Sequence, residues 1–197
     1  YEAYRDTLAF YNDNDIMPLG GGETLADARR PVILEHNGST IAMLACNQPG
    51  PYYALVNEDP GLAGGVRPGA AACDEAWLQE TIPALAIAYD TVIVTVQQPE
   101  IEDYIPSDDQ IRSFRRIAEL GADIVAGTAA HKPQIFEFYS RGDGGMTYIH
   151  YGMGNLYFDQ PFWGNTRFFM NTALIYDDQL LTIDLFPGII DDVARPR

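Results

Sequence analysis

The sequence predicts a layered α/β domain in which sheet packs against sheet and the chain closes in antiparallel hairpins. Three observations carry this. Helix and strand signals alternate from residue 1 to about residue 126. The run Thr91–Val96 is β-branched and almost wholly apolar, the mark of a strand buried on both faces. From Gln134 onward the pattern changes to paired extended runs joined by short polar turns, and mixed signals in this order indicate layers rather than a bundle.

Residues 1–12 read as a helix with Tyr4, Leu8 and Tyr11 on one side. Ile16–Leu19 is short and strand-like, and Gly20-Gly21-Gly22 reads as a tight loop. Thr24 and Asp27 have capping-box spacing, opening a short helix that ends by Pro31. Val32–His36 and Thr40–Ala45 are strands joined by Asn37-Gly38, a strong hairpin signal that also accounts for the glycosylation-like Asn37-Gly38-Ser39. A Gly/Pro-rich stretch, Gln48 to Ala71, leads to a helix starting near Asp74 that Pro83 should kink or restart. After Thr91–Val96, Ser107 caps a helix with Gln110 at the box position and Asp108 and Asp109 at the positive end of the dipole. Its apolar stripe is Ile111, Phe114, Ile117 and Ala118, and Gly121 supplies the stop. Asp123–Ala126 is a short buried strand. Two hairpins follow, Gln134–Ser140 with Met146–Tyr151, and Arg167–Tyr176 with Leu180–Phe186 across Asp177-Asp178.

Composition narrows the function. The 197 residues carry 12 Lys and Arg against 28 Asp and Glu, a net charge of −16, with 47% apolar content. Such a chain folds, and it lacks the cations that binding to nucleic acid or anionic lipid demands. No apolar run approaches the length of a membrane span. The sequence opens without Met on what reads as a helix already under way, so a processed or truncated product is expected, with a portion missing ahead of Tyr1. Cys46 and Cys73 are either two buried thiols or one disulfide. They bracket the floppy Gly/Pro-rich stretch, where a bridge stabilises most, so the disulfide is the expectation and an extracytoplasmic location follows from it.

Ligands in α/β folds gather at the loops after strand ends. Three such loops stand out: Gln97 to Asp103, Gly127 to His131, and Gly152 to Asn155. His131 is the one histidine placed where a ligand or general acid would be. His36 beside the turn should be exposed, and His150, inside a strand, should be packing. Gln97 and Gln98 hydrogen-bond but are poor metal ligands and no acid or base. Glu100, Glu102 and Asp103 form either a hard-cation site or a solvated acidic loop. No catalytic triad, Walker loop or paired-cysteine site is present in the sequence.

At these loops the chain resembles the CapA/PgsA-type family of bacterial poly-γ-glutamate capsule synthesis, whose fold is similar to the calcineurin-like metallophosphoesterases. Gly20 to Pro31 is similar to the family's GxGxNLxEARKP segment, and Ile41–Asn47 to its strand ending in GYN. Leu120 to Gly127 resembles AGADVVIG, His131 falls on the last His of HHPH, and Tyr151 to Gln160 resembles YSLGNFVFDQ. Gln97 stands where the family has the His of HWG, and Thr128 or Ala129 where it has an earlier His.

The resemblance implies an α-β-β-α sandwich of metallophosphoesterase type. Residues 1–197 would form the C-terminal half to two-thirds of one domain, with the first metal-ligand motifs ahead of Tyr1. It implies a site of His131 as metal ligand and acid, lined by Gln97, Glu100, Asn155 and Asn47. No cofactor is fixed by these residues; the resemblance implies a divalent metal (Mn, Fe or Zn) in the full-length protein. With an amide in place of an imidazole, the leading expectation is a non-catalytic binding or scaffolding module of capsule assembly at the bacterial surface. Its partners would be a surface polymer or capsule-assembly proteins. The alternatives are a metal-dependent phosphoester or amide hydrolase completed by the missing portion, and a self-assembling surface or filament subunit.

Overall fold

Val92, Val94 and Val96 alternate with Ile93 and Thr95 along the central strand, giving it two apolar faces and demanding a layer on each. The computed structural model describes residues 1–48, 52–158, 165–176, 179–191 and 194–197, with the side chains of residues 100 and 101 outside that description. In chain order the elements are α1 (Glu2–Asp13), β1 (Gly21–Gly22), α2 (Leu25–Ala28), β2 (Val32–His36) and β3 (Ser39–Asn47). A 3-10 turn (Tyr52–Ala54), β4 (Gly69–Ala70), α3 (Glu75–Ala88), β5 (Thr91–Ile101) and α4 (Asp108–Glu119) come next. The chain finishes with β6 (Ile124–Ala130), β7 (Phe136–Ser140), β8 (Met146–His150), β9 (Arg167–Tyr176) and β10 (Gln179–Ile189).

A six-stranded sheet runs in the order β2-β3-β5-β6-β8-β7, with β3, β5, β6 and β8 parallel and the two edge strands antiparallel. One face buries Leu44, Val94, Val125 and Ile149 beneath Ile82 of α3 and Phe114 of α4. The β9–β10 ribbon lies against the opposite face. Its Phe169 and Asn171 meet His150 on β8, while Ile175 and Tyr176 share a cavity with His36, Ser39 and Ile41 at the far edge. The mixed α/β layering and the closing antiparallel hairpin agree with the sequence reading. The expected turn Asp177-Asp178 lies outside the described residues.

Local chemistry sets the element ends. Thr24, Asp74 and Ser107 each accept a backbone N–H three residues on, capping α2, α3 and α4. Asn37 and Gly38 both have positive φ, as the tight turn between β2 and β3 requires. Gly121, at φ +111°, ends α4.

Four local expectations need correction. Ile16–Leu19 forms no strand; the extended pairing comes from Gly21–Gly22 against Gly69–Ala70. Pro83 does not restart α3, because one missing N–H is outweighed by burial of Leu78, Ile82 and Leu85 along the same helix. The strand expected at Gln134 begins at Phe136. Gln110 does not complete a capping box: its side chain is buried and donates to Gln134 Oε1 and the Tyr151 carbonyl, both at 2.8 Å. Cys46 and Cys73 are bonded, tying the end of β3 to the entry of α3. No helix among the described residues is long and apolar enough to cross a membrane.

Candidate functional site

Strands β3, β5 and β6 run parallel in register, so Asn47, Gln97 and Thr128 fall in one row, at the last residue of β3 and short of the ends of β5 and β6. Residues in register on adjacent parallel strands project to the same face at roughly 5 Å spacing. Gln97 Oε1 accepts from the Thr128 hydroxyl at 2.5 Å. The backbone of Asn47 is fixed by the segment behind it, donating to Ala71 O and accepting from Cys73 N–H.

His131 sits just beyond β6, half-buried, with Nδ1 3.1 Å from Asn155 Oδ1 and its ring 4.9 Å from that of Phe158. A carbonyl partner assigns the proton to Nδ1. Asn155 Nδ2 donates to Asn165 O, and Asn165 Nδ2 donates to Glu102 Oε1. The Lys132 ammonium donates to Glu102 O at 2.9 Å and stands over the Tyr104 ring. Gln134, buried, donates to the carbonyl of Asp103. These bonds lace together the loops after β5, β6 and β8.

Gly154 makes the lacing possible. At φ +77°, it brings the backbone so close to β9 that a Cβ there would lie 2.2 Å from Arg167 O. Gly127 plays the same part below, where a Cβ would fall 1.9 Å from Tyr151 O. Beside the site, Glu137 receives Arg115 and the Tyr151 hydroxyl. The Arg115 guanidinium holds that carboxyl below the usual range, while burial, followed by the Glu137 bond, pushes the Tyr151 phenol up.

The structure therefore places His131 and Asn155 in contact, and Gln97 and Asn47 in one register row on β5 and β3; among the described residues Asn155 bonds to His131 and Asn165, not to that row. The side chain of Glu100 lies outside the described residues. Glu102 and Asp103 serve as loop fasteners, with Asp103 Oδ1 also accepting from Ile105 N–H. Among the described residues no three His, Cys, Asp or Glu side chains are arranged to hold a metal ion. Among the described residues, Asn47, Gln97, Thr128 and Asn155 offer amides and a hydroxyl, which by themselves do not make a dinuclear metal centre, and no reaction step is assigned to one. Sequence reasoning missed Lys132, Gln134 and Asn165. One signal was available: Lys132 is the only lysine in the chain, and it adjoins His131.

The family model described as "Bacterial capsule synthesis protein PGA_cap" matches residues 1–160. The PGA biosynthesis protein CapA of Bacillus subtilis (strain 168) is 30% identical over 168 residues, covering 84% of this chain and 40% of that protein. The capsule biosynthesis protein CapA of Bacillus anthracis is 27% identical over 192 residues, covering 93% and 43%. The chain thus spans less than half the length of either relative. Among solved structures, a hypothetical protein from Thermus thermophilus is similar at TM-score 0.44 and 13% identity, covering 80% of this chain and 60% of that one. The Haemophilus influenzae NAD nucleotidase NadN is similar at TM-score 0.47 and 8% identity, covering 85% and 33%.

Proposed function

The chain belongs to the bacterial capsule synthesis protein family, and from that premise we propose that it is a non-catalytic polymer-binding or scaffolding module. It would act outside the cytoplasmic membrane in the assembly of a poly-γ-glutamate-like surface polymer, with residues 1–197 forming part of one larger domain. The observation that carries this reading is the chemistry of the strand-end site. Asn47, Gln97, Thr128 and Asn155 are amides and a hydroxyl, which donate and accept hydrogen bonds but move no protons near neutrality. His131, the one imidazole among them, has its Nδ1 against Asn155. Such a lining suits a chain of amide groups, which offers a donor and an acceptor at each link. The Cys46–Cys73 bond adds compatibility with an oxidising compartment.

The test has two arms. Purified protein is supplied in turn with Mn2+, Fe2+ and Zn2+ and assayed for metal content and for hydrolysis of a chromogenic phosphodiester. No turnover is expected. In a capsule-forming host, Asn155→Leu should cut surface polymer severalfold while leaving the protein at its normal level. Stoichiometric metal that His131→Ala removes, together with phosphodiester turnover, would replace this reading with the hydrolase. Unchanged polymer in the Asn155→Leu strain would also count against it.

A further inference from the structure

In a protein with 28 acidic and 12 basic side chains, each cation should find a carboxylate. Eight of the arginines do. Arg67 is buried and donates to the carbonyls of Tyr52, Leu55, Ala63 and Gly65. Lys132, Arg167 and Arg195 remain, with no carboxylate ion pair among the described residues. They lie along one connected series of segments. Pro133, next to Lys132, bridges to Met153, whose carbonyl receives Phe169 N–H of β9. Arg167, the first residue of β9, pairs with Ile189 of β10. Ile189 in turn exchanges backbone bonds with Arg197, and Arg195 lies two residues back on that extended segment, on the same side.

Along this series runs a groove with a cavity volume of about 370 Å³, lined by Pro133, Phe168, Phe169, Pro187 and Ile189 and by Arg167 and Arg197; Lys132 adjoins Pro133, and Arg195 lies two residues before Arg197. It adjoins, through Pro133 and Phe169, a second hollow that includes Tyr104, the ring beneath the Lys132 ammonium. An apolar floor with a cationic rim calls for a ligand of alternating character: aliphatic stretches to cover the floor and carboxylates to meet the rim.

We propose that this groove binds a linear polycarboxylate with an aliphatic amide backbone, its carboxylates meeting Lys132, Arg167 and Arg195. The proposal rests on the capsule reading for the identity of the polymer, and on the charge distribution for its position. It answers the objection that a −16 surface repels a polyanion. The polymer meets the molecule where cations have no carboxylate ion pair among the described residues.

The experiment is fluorescence anisotropy of a labelled γ-linked glutamate decamer with the full 197-residue chain at physiological salt. Arg167→Glu/Arg195→Glu should weaken binding roughly tenfold or more, with unchanged melting temperature, because both side chains are exposed. Arg112→Glu, on α4 and paired only with Asp109, should leave binding within twofold. Binding that the double variant retains, equal loss in Arg112→Glu, or no binding by the wild type would overturn the proposal. An α-linked glutamate decamer bound as tightly through the same arginines would put an acidic protein segment in the groove and overturn the polymer assignment. The two readings fail separately. Lost capsule in Asn155→Leu with no decamer binding removes the groove alone. Decamer binding with intact capsule in that strain removes the strand-end site alone.

Discussion

His150 is fully buried between β8 and β9, where its Nδ1 faces the Tyr148 hydroxyl at 3.2 Å and Asn171 Nδ2 at 2.8 Å. In the neutral ring Nδ1 can accept from these donors, and Nε2 has no hydrogen-bond partner among the described residues. Burial lowers the ring's pKa and raises the neighbouring Tyr148 phenol to about 12. The unfolded chain takes up a proton near pH 6.5 that the folded one refuses, so stability is full above that pH and falls as pH drops toward the depressed folded value. The slope from this group is at most about 1.4 kcal/mol per pH unit. Urea melts at pH 7.5 and 5.5 should show the loss. In His150→Phe that difference should shrink, because the shifted carboxylates, all lowered, titrate further down. An undiminished difference would locate the sensitivity elsewhere. Single residues were legible to different depths. The packing role of His150 followed from its place in a strand. The fate of Gln110 did not, since a spacing rule sees Ser107 three residues away and not the Tyr151 carbonyl 41 residues on.

Elements came through well where local chemistry dictates them and poorly where a distant segment does. Capped helices and the Asn37-Gly38 turn depend on neighbours within four residues. The glycine strand β1 depends on β4, nearly fifty positions later, and three consecutive glycines carry no strand propensity. Its pairing is allowed by close approach: a Cβ on Gly21 would lie 2.1 Å from the Tyr4 hydroxyl. The disulfide consolidates the same region, closing a separation of 27 residues between the end of β3 and the start of α3. On the chain-entropy model such a loop is worth about 3–4 kcal/mol. Cys46→Ser/Cys73→Ser should lose stability of that order in denaturant melts, and a loss under about 1 kcal/mol would mean that the Arg67 clamp already holds the loop without the bond. The loop after β8 offers a sharper probe. Gly154→Ala combines a positive φ with a clash against Arg167 O, and β9 carries Arg167 and packs on β8. The expected outcome is a loss of about 2–4 kcal/mol, together with release of Asn155 from His131, seen as a changed imidazole shift in NMR. Wild-type shifts at that ring would show that the loop absorbs the methyl without moving Asn155.

At the scale of the whole molecule, the sequence announced layers but not the path of the ribbon, because crossing a sheet face is decided by contacts such as Asn171 with His150 that leave no periodic signature. It announced the charge in full, and the structure adds where that charge is balanced. Eight arginines pair with carboxylates, mostly at exposed positions such as Arg112 and Asp109, where each pair contributes no more than about 1 kcal/mol. The uncompensated charge of −16 acts over longer distances. Salt separates the two contributions by range. Charges in an ion pair, such as Arg115 and Glu137 at 2.8 Å, lie well inside the Debye length between about 10 and 150 mM salt. Repulsion between carboxylates roughly 10–30 Å apart is felt at 0.01 M and largely removed at 0.15 M, as the screening length shrinks from about 30 Å to about 8 Å. Added NaCl should therefore relieve repulsion more than it weakens pairs, and the melting temperature should rise between about 10 and 150 mM by roughly a few degrees, the response of ~1 kcal/mol in a domain of this size. The groove should respond in the opposite sense, since carboxylates bound at Lys132, Arg167 and Arg195 are displaced as salt rises. A melting temperature that instead fell with salt would mean that the surface pairs dominate.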